Sequence, residues 1–202
     1  MSNITVYLAH PSPNSLNGAT ARAITEELTA AGHTVELRDL YRLGFEPLLT
    51  EADTSAYATG TVPPDVATEQ RIIAAADGIV LVYPTWWWSY PAMLKGFIDR
   101  VFTMGFAWEA GPEGVVGKLG NKPFFVAVTH GASRELYQTL GVDLTHFHDP
   151  LKVGTLGFCG VREIGVFASY GIPMYASDAE MPHRDEAARA AVAFFNPAKT
   201  NA

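Results

Sequence analysis

The sequence predicts an α/β protein in three layers, with a five-stranded parallel sheet covered by helices on both faces. Five segments of apolar, largely β-type residues, at positions 4–9, 34–39, 78–83, 124–129 and 163–169, are separated by stretches with helical spacing. Strands that alternate with helices in this way form parallel sheets. The third segment, Gly-Ile-Val-Leu-Val-Tyr, is apolar on both of its alternating faces, as a strand buried on both sides must be, and it is placed at the centre of the sheet.

Each element carries its own signals. The first ten residues have no basic group ahead of their apolar run and read as a first strand, not a signal peptide. Asn17 is placed to cap a helix that carries Ile24 and Leu28 and stops at Gly32, where a left-handed residue costs least. Pro91 suits the first turn of a helix through Met93, Leu94, Phe97, Ile98 and Val101, and Asp149-Pro150 opens another that ends at Gly160. Positions 45–64 and 103–121 are rich in Gly, Pro and Thr and are expected to be long surface excursions of the functional kind. No repeat or linker divides the 202 residues, so a single domain spanning 1–202 is expected.

Composition narrows the function classes. The net charge is −7 and no block of Lys or Arg occurs, which disfavours nucleic acid, whose binding is built on clustered cations. No apolar run approaches the roughly 20 residues that span a bilayer, so no membrane insertion is expected and a cytoplasmic location is the default. Cys159 is the only cysteine. It can form neither an intramolecular disulfide nor a multi-cysteine zinc site, and reads as a small buried residue in a helix. His146 and His148 read as solvent-facing loop residues, because a metal pair would need further ligands.

Chemistry concentrates in three loops that each follow a strand. The first, His10-Pro-Ser-Pro-Asn-Ser15-Leu16-Asn17-Gly18, sets N–H groups, hydroxyls and an imidazole around a helix N-terminus, a place that attracts phosphate. An ordinary capped turn uses the same residues. Neither Gly-x-Gly-x-x-Gly nor a P-loop motif is present, which removes the main support for a Rossmann crevice or a nucleotide-hydrolysing site. The second loop is Tyr83-Pro84-Thr85-Trp86-Trp87-Trp88-Ser89-Tyr90-Pro91. Three consecutive tryptophans cannot all enter one core, because neighbours on a strand face opposite ways and on a helix diverge by about 100°. At least one must face a cavity or a partner, and aromatic planes beside backbone amides suit a flat heterocycle. Packing at a subunit interface is the alternative. The third loop, Thr129-His130-Gly131-Ala132-Ser133-Arg134, has Tyr137 shortly after it. All three leave the carboxyl ends of strands, where open α/β sheets bind ligands.

The stretch from Tyr83 to Phe102, Tyr-Pro-Thr-Trp-Trp-Trp-Ser-Tyr-Pro-Ala-Met-Leu-Lys-Gly-Phe-Ile-Asp-Arg-Val-Phe, resembles the signature of the NAD(P)H:quinone oxidoreductases of the flavodoxin-2 family. That family also contains drug-modulator reductases and potassium-efflux ancillary proteins. The similarity extends through Ala9-His10 with Ser15-Leu16-Asn17-Gly18, Phe106-Ala107-Trp108, Thr129 to Tyr137, and Phe158-Cys159-Gly160. It implies a flavodoxin-like fold and a bound flavin whose phosphate or pyrophosphate is held by His10, Ser15, Leu16 and Asn17. It further implies that Pro84, Thr85, Trp86, Trp87 and Trp88 line the isoalloxazine, with Thr129, His130, Gly131 and Ala132 at its other edge. Trp87, Trp88 and, from a neighbouring subunit, Trp108 would wall the pocket for nicotinamide and acceptor, since family members are homodimers with sites at the interface.

Tyr137 matches the family tyrosine near the flavin carbonyl edge, where a donor stabilises charge that develops as hydride arrives. The best-known members have a histidine six residues later. Here that position is Asp143, which cannot be a cationic partner, and His146 is the nearby substitute. The implied activity is ping-pong hydride transfer from NAD(P)H through flavin to a quinone or similar acceptor. Ser-Leu-Asn-Gly tilts the cofactor towards FAD, as in the animal-type reductases, with FMN the alternative. A reductase of free flavin, azo or nitro compounds would share the fold. A redox-sensing ancillary subunit of a membrane transporter is the rival from another class. A one-electron carrier is disfavoured, because positions 10–18 lack the Thr/Ser/Gly-rich phosphate loop of such carriers.

Overall fold

A computed structural model describes residues 1–173 and 181–196. In chain order its elements are β1 (Asn3–Leu8), α1 (Leu16–Ala30), β2 (Thr34–Asp39), α2 (Glu51–Ala58), α3 (Pro64–Ala75), β3 (Gly78–Pro84) and α4 (Ala92–Val101). There follow β4 (Trp108–Gly111), β5 (Gly114–Gly117), β6 (Phe124–Thr129), α5 (Arg134–Thr139), a π-helix (Pro150–Gly157), β7 (Ile164–Ser169) and α6 (Met181–Phe195). All five predicted strands are present and pair in parallel in the order β2-β1-β3-β6-β7. The apolar third segment, β3, is central, and β3 and β6 are buried at every position.

Alternation along β3 divides its side chains between two cores. Ile79, Leu81 and Tyr83 meet Leu94, Phe97 and Val101 of α4 and Val66 and Ile73 of α3 on one face. Val80 and Val82 meet Ile24 and Leu28 of α1 and Ala187, Ala188 and Ala191 of α6 on the other. A period of two in the strand and near 3.6 in the helices is what permits both faces to be filled. The order β1-β3-β6 also sets the three chemistry-bearing loops side by side at one end of the sheet.

Local predictions need correction at four places. Ser15, not Asn17, caps α1: its hydroxyl accepts the Gly18 N–H at 3.1 Å, and Asn17 is already helical. Positions 45–64 are not a bare excursion, since they contain α2, which starts with a capping box between Thr50 and Asp53. This segment is fastened to α4 by Arg100, which is buried and reaches Asp53 at 2.9 Å, the Glu46 carbonyl at 2.7 Å and Asp65. Positions 103–121 contain the antiparallel hairpin β4–β5. It lies directly on the turn after the π-helix: a Cβ at Gly117 would stand 2.1 Å from the Gly160 nitrogen. Pro150 does open a helix, but one of π type, with the Phe158 N–H donating to the Val153 carbonyl at 3.2 Å. Cys159 is buried in the turn that follows that helix, where desolvation pushes its thiol up to about 11. Among the described residues no helix is long and apolar enough to cross a membrane.

Candidate active site

The first loop folds tightly against α1. Ser15 Oγ donates to the Ser12 carbonyl at 2.8 Å while it caps the helix, and the Ser12 N–H donates to His10 Nδ1 at 3.0 Å. Burial lowers the pKa of His10 and favours its neutral form. Gly18 permits this closeness, because a Cβ there would stand 2.2 Å from the Pro13 oxygen. The N–H groups of Leu16 and Asn17 belong to the first turn, where an α-helix offers no internal acceptor and the dipole is positive. Asn17 Nδ2 donates to Thr129 Oγ1 at 3.0 Å, tying this loop to the end of β6. Its Oδ1 is buried with no partner among the described residues, an acceptor that invites a donor.

The second loop is a tight turn at residues 86–89. The Trp86 N–H donates to the Ser89 carbonyl at 2.9 Å and the Ser89 N–H to the Trp86 carbonyl at 3.1 Å. Trp87 and Trp88 have φ of 48° and 67°, the two successive left-handed residues of a type I′ turn, a form that ordinarily uses Asn and Gly. Each costs on the order of 1–2 kcal/mol for an L-residue with a bulky side chain. Trp87 is 97% exposed, so burial of its indole within this chain does not offset that cost, whereas Trp88, 55% exposed, is partly covered. The rings diverge as predicted. Trp86 lies 5.8 Å from the His10 ring, whereas Trp88 stands edge-on to Tyr137 at 5.8 Å and tilts against Phe147. Pro84 is the buried last residue of β3, and the Thr85 N–H donates to the Thr129 carbonyl at 2.7 Å.

The third loop begins with a histidine wholly inside the protein. His130 is 0% exposed. Its Nδ1 is 3.0 Å from the Tyr137 hydroxyl and its Nε2 3.5 Å from Thr85 Oγ1. The ring stacks on Tyr170 at 4.6 Å and 14°, and Phe147 and His148 close around it at 5.1 and 5.3 Å. Desolvation, then His148 and Arg134, push its pKa down to about 3, so the ring is neutral. The His130 side chain stands behind Tyr137, and the residue adjoins the exposed Gly131. Gly131 is exposed, Ala132 half-buried, and Ser133 caps α5 by accepting the Leu136 N–H at 3.2 Å. Tyr137 is 5% exposed, and its pKa is raised by burial.

Neither suggested substitute for the missing histidine joins this group. Asp143 is exposed and accepts the Thr145 N–H at 2.8 Å, an interaction that holds its carboxyl below the usual range. His146 is exposed and pairs with Asp149 at 2.6 Å, which raises its pKa. His148, expected to face solvent, instead turns inward towards His130. Trp108 is half-buried on β4 with its ring against Phe158 at 5.4 Å, and among the described residues no ring contact joins it to the tryptophan turn of the same chain. Sequence reasoning gives no role to Phe147 or Tyr170. Tyr170 has a signal that could have found it, because it directly follows β7 and obeys the same carboxyl-end rule as the other loops.

Comparison with known proteins agrees with this fold. A family model described as the flavodoxin-like fold matches residues 2–194. The chain belongs to this family. The ribosyldihydronicotinamide dehydrogenase (quinone) of Pongo abelii is 33% identical over 196 residues, covering 88% of this chain and 84% of that protein. An uncharacterized NAD(P)H oxidoreductase of Haemophilus influenzae is 36% identical over 163 residues, or 80% of each chain. Among solved structures, an NAD(P)H:quinone oxidoreductase from Methanothermobacter marburgensis is similar with a TM-score of 0.79 at 30% identity, covering 97% of this chain and 98% of its own. In this flavodoxin-like protein the three loops therefore meet at the carboxyl end of the sheet, joined by Asn17 to Thr129, Thr85 to His130, and Trp88 to Tyr137.

Proposed function

We propose that this chain is an NAD(P)H:quinone oxidoreductase that works through a bound flavin. The observation that carries the reading is the strained, exposed tryptophan turn, whose Trp88 packs edge-on to Tyr137 of a buried Tyr137–His130 pair, at the same end of the sheet as the N-terminus of α1. Strain held in place at an exposed aromatic turn is a mark of a functional site. The names of the relatives and of the solved structure above point to the same reaction class.

The residues fit a flavin. Ser15, Leu16, Asn17 and His10 would hold its phosphate end, where the first turn of α1 supplies N–H donors, while the unpartnered Asn17 Oδ1, an acceptor, would take a hydroxyl of the cofactor and not its phosphate. Trp86, Trp88, Pro84 and Thr85 would border the ring system, with the Thr129, Gly131 and Ala132 backbone opposite. When bound, flavin supplies the two-electron chemistry, with NAD(P)H as hydride donor and a quinone as acceptor in separate half-reactions. Trp87 offers a bare indole face to whichever planar substrate enters, and Tyr137 offers a hydroxyl to developing negative charge. FAD is the proposed form on the Ser15-Leu16-Asn17-Gly18 pattern.

A homodimer is part of the proposal. Trp87, Met104 and Phe158 are exposed, and Trp108 of a second copy would complete the pocket wall that this chain leaves open. Purified protein should be yellow and dimeric, release a flavin identifiable by mass spectrometry, and oxidise NADH or NADPH with a panel of quinones without any added subunit. A colourless protein that also fails to take up FAD or FMN would overturn the reading. A yellow protein with no turnover would favour an accessory role instead.

A further inference from the structure

We propose that His130 is a positioning residue for Tyr137: its ring is neutral, carries its proton on Nδ1 and donates that proton to the tyrosine oxygen, which leaves the tyrosine's own hydrogen free for the ligand. This takes the reductase reading as its starting point and assigns a supporting residue to it. The place is different from position 143, where the chain has an exposed aspartate, and the partner is an uncharged ring instead of a cation.

The two contacts of the ring are unequal, and that inequality is the basis for the assignment. Both neighbours of the imidazole are hydroxyls, and each can donate or accept. The contact at Nδ1 is 3.0 Å and that at Nε2 is 3.5 Å. The 3.0 Å contact is a full hydrogen bond, whereas at 3.5 Å an N–H on Nε2 would have only a poor acceptor in Thr85 Oγ1. A buried N–H without a good acceptor is also rarer than an under-satisfied acceptor. The proton therefore belongs on the nitrogen with the short contact, and the bare nitrogen belongs at the long one, where Thr85 donates weakly. Accepting from Nδ1–H polarises the tyrosine O–H and makes it the better donor outward.

The surroundings hold the ring in that state. Thr85 faces it from the end of β3, Tyr137 and Arg134 from α5, Tyr170 from the end of β7, and Phe147 and His148 from the segment before the π-helix. Arg134 sits over the outer face of Tyr170, 4.1 Å from the ring centroid, and Tyr170 stacks on His130. Among the described residues no carboxylate is bonded to the imidazole, the nearest charge in the stack is the Arg134 cation, and burial disfavours a second positive charge. Both backbone groups of His130 are also bonded, its N–H to the Ser169 carbonyl at 2.7 Å and its carbonyl to the Ile172 N–H at 2.9 Å, so the backbone from which the ring projects is held in place.

The first test needs no flavin. In full-length protein labelled with 15N at histidine, the signal missing from His130→Asn should report a neutral ring protonated at Nδ1, unchanged between pH 7 and pH 5. A ring protonated at Nε2, or one that titrates in that range, would overturn the assignment. The second test follows flavin reduction by stopped flow. His130→Asn places an amide near the Nδ1 position and should retain the rate within about threefold, whereas His130→Gln, whose amide extends past it, should lose about tenfold. In a Tyr137→Phe background the two variants should have equal rates, since the positioned hydroxyl is gone. A tenfold loss from His130→Gln that persists in that background would show that the histidine does not act through Tyr137. Wild-type protein that binds no flavin would overturn the reductase reading, and the tautomer measurement would still decide the state of His130.

Discussion

The tryptophan turn and the His130 corner touch through Trp88 and Tyr137, but they are built in opposite ways. The turn holds two bulky residues in left-handed backbone conformations with their indoles in the open. The corner buries its histidine and tyrosine, bonds the histidine's backbone groups and packs aromatic rings around both side chains. A turn of this kind is favoured only when something covers it, and under the proposed function planar ligands or a second subunit would do so. A satisfied corner presents one hydroxyl in one direction. On the proposed function, affinity for the substrate and orientation of the donor would fall to different loops.

The buried corner has its largest signature in stability against pH. His130 is neutral in the folded protein down to about 3, whereas in the unfolded chain it titrates near its ordinary value of about 6.5. Between those values the unfolded state binds more protons, so stability falls as pH falls from about 6.5 towards 3, by an amount on the order of a few kcal/mol. His148, whose pKa is also lowered by burial, adds in the same direction. Thermal unfolding from pH 7 to pH 4 should show this decline, and His130→Asn should have a lower melting temperature at pH 7 but a shallower slope. An identical slope in the variant would place the proton linkage elsewhere.

Tyr137→Phe is the next largest expected effect. Ring packing against Trp88 and Phe147 is kept and one donor is lost, so flavin retention should persist while reduction slows about tenfold, equivalent to about 1.4 kcal/mol. An unchanged rate would reduce the corner to packing and dissolve the contrast with the turn. Trp87→Gly tests the other side. Glycine removes the left-handed strain at φ 48° against its own entropic cost, so the variant should be more stable by about 0.5–1 kcal/mol, read as a small rise in melting temperature. The same change should slow acceptor reduction more than it loosens flavin. A fall in stability would mean that the indole packs within the chain. The smallest effect belongs to Asp143→Asn: the side chain is exposed and serves only its own loop, so flavin reduction should change less than about twofold.

Much of this architecture is legible in the order of the amino acids. Strand positions 34–39 and 124–129 coincide with the observed elements, and the central place of 78–83 follows from its apolar character on both faces. The carboxyl-end rule brings His10, Trp86 and Tyr137 into one neighbourhood. Misreadings arise where a local signal has two outcomes. Ser15 and Asn17 are both good caps, and Ser15 wins because Gly18 allows the loop to close on the helix within its reach. Positions 45–64 have loop-like composition, yet α2 forms there because Arg100, nearly fifty residues further along, neutralises Asp53 and holds the Asp53 carboxyl at about 2.

Periodicity and chain-adjacent residues suffice for the alternation of strand and helix, for the central place of β3, and for the chemical character of the three loops, because each of these depends on neighbours along the chain. Which imidazole meets Tyr137 depends instead on how distant segments pack. Position 143 is six residues from the tyrosine along the chain but is turned to solvent, while His130 precedes it by seven and is delivered by the end of β6 into a cage closed by Tyr170 and Phe147. Burial and hydrogen-bond direction are properties of that cage, assembled from β3, β6, α5, β7 and the segment before the π-helix, and no spacing within one stretch of chain encodes it.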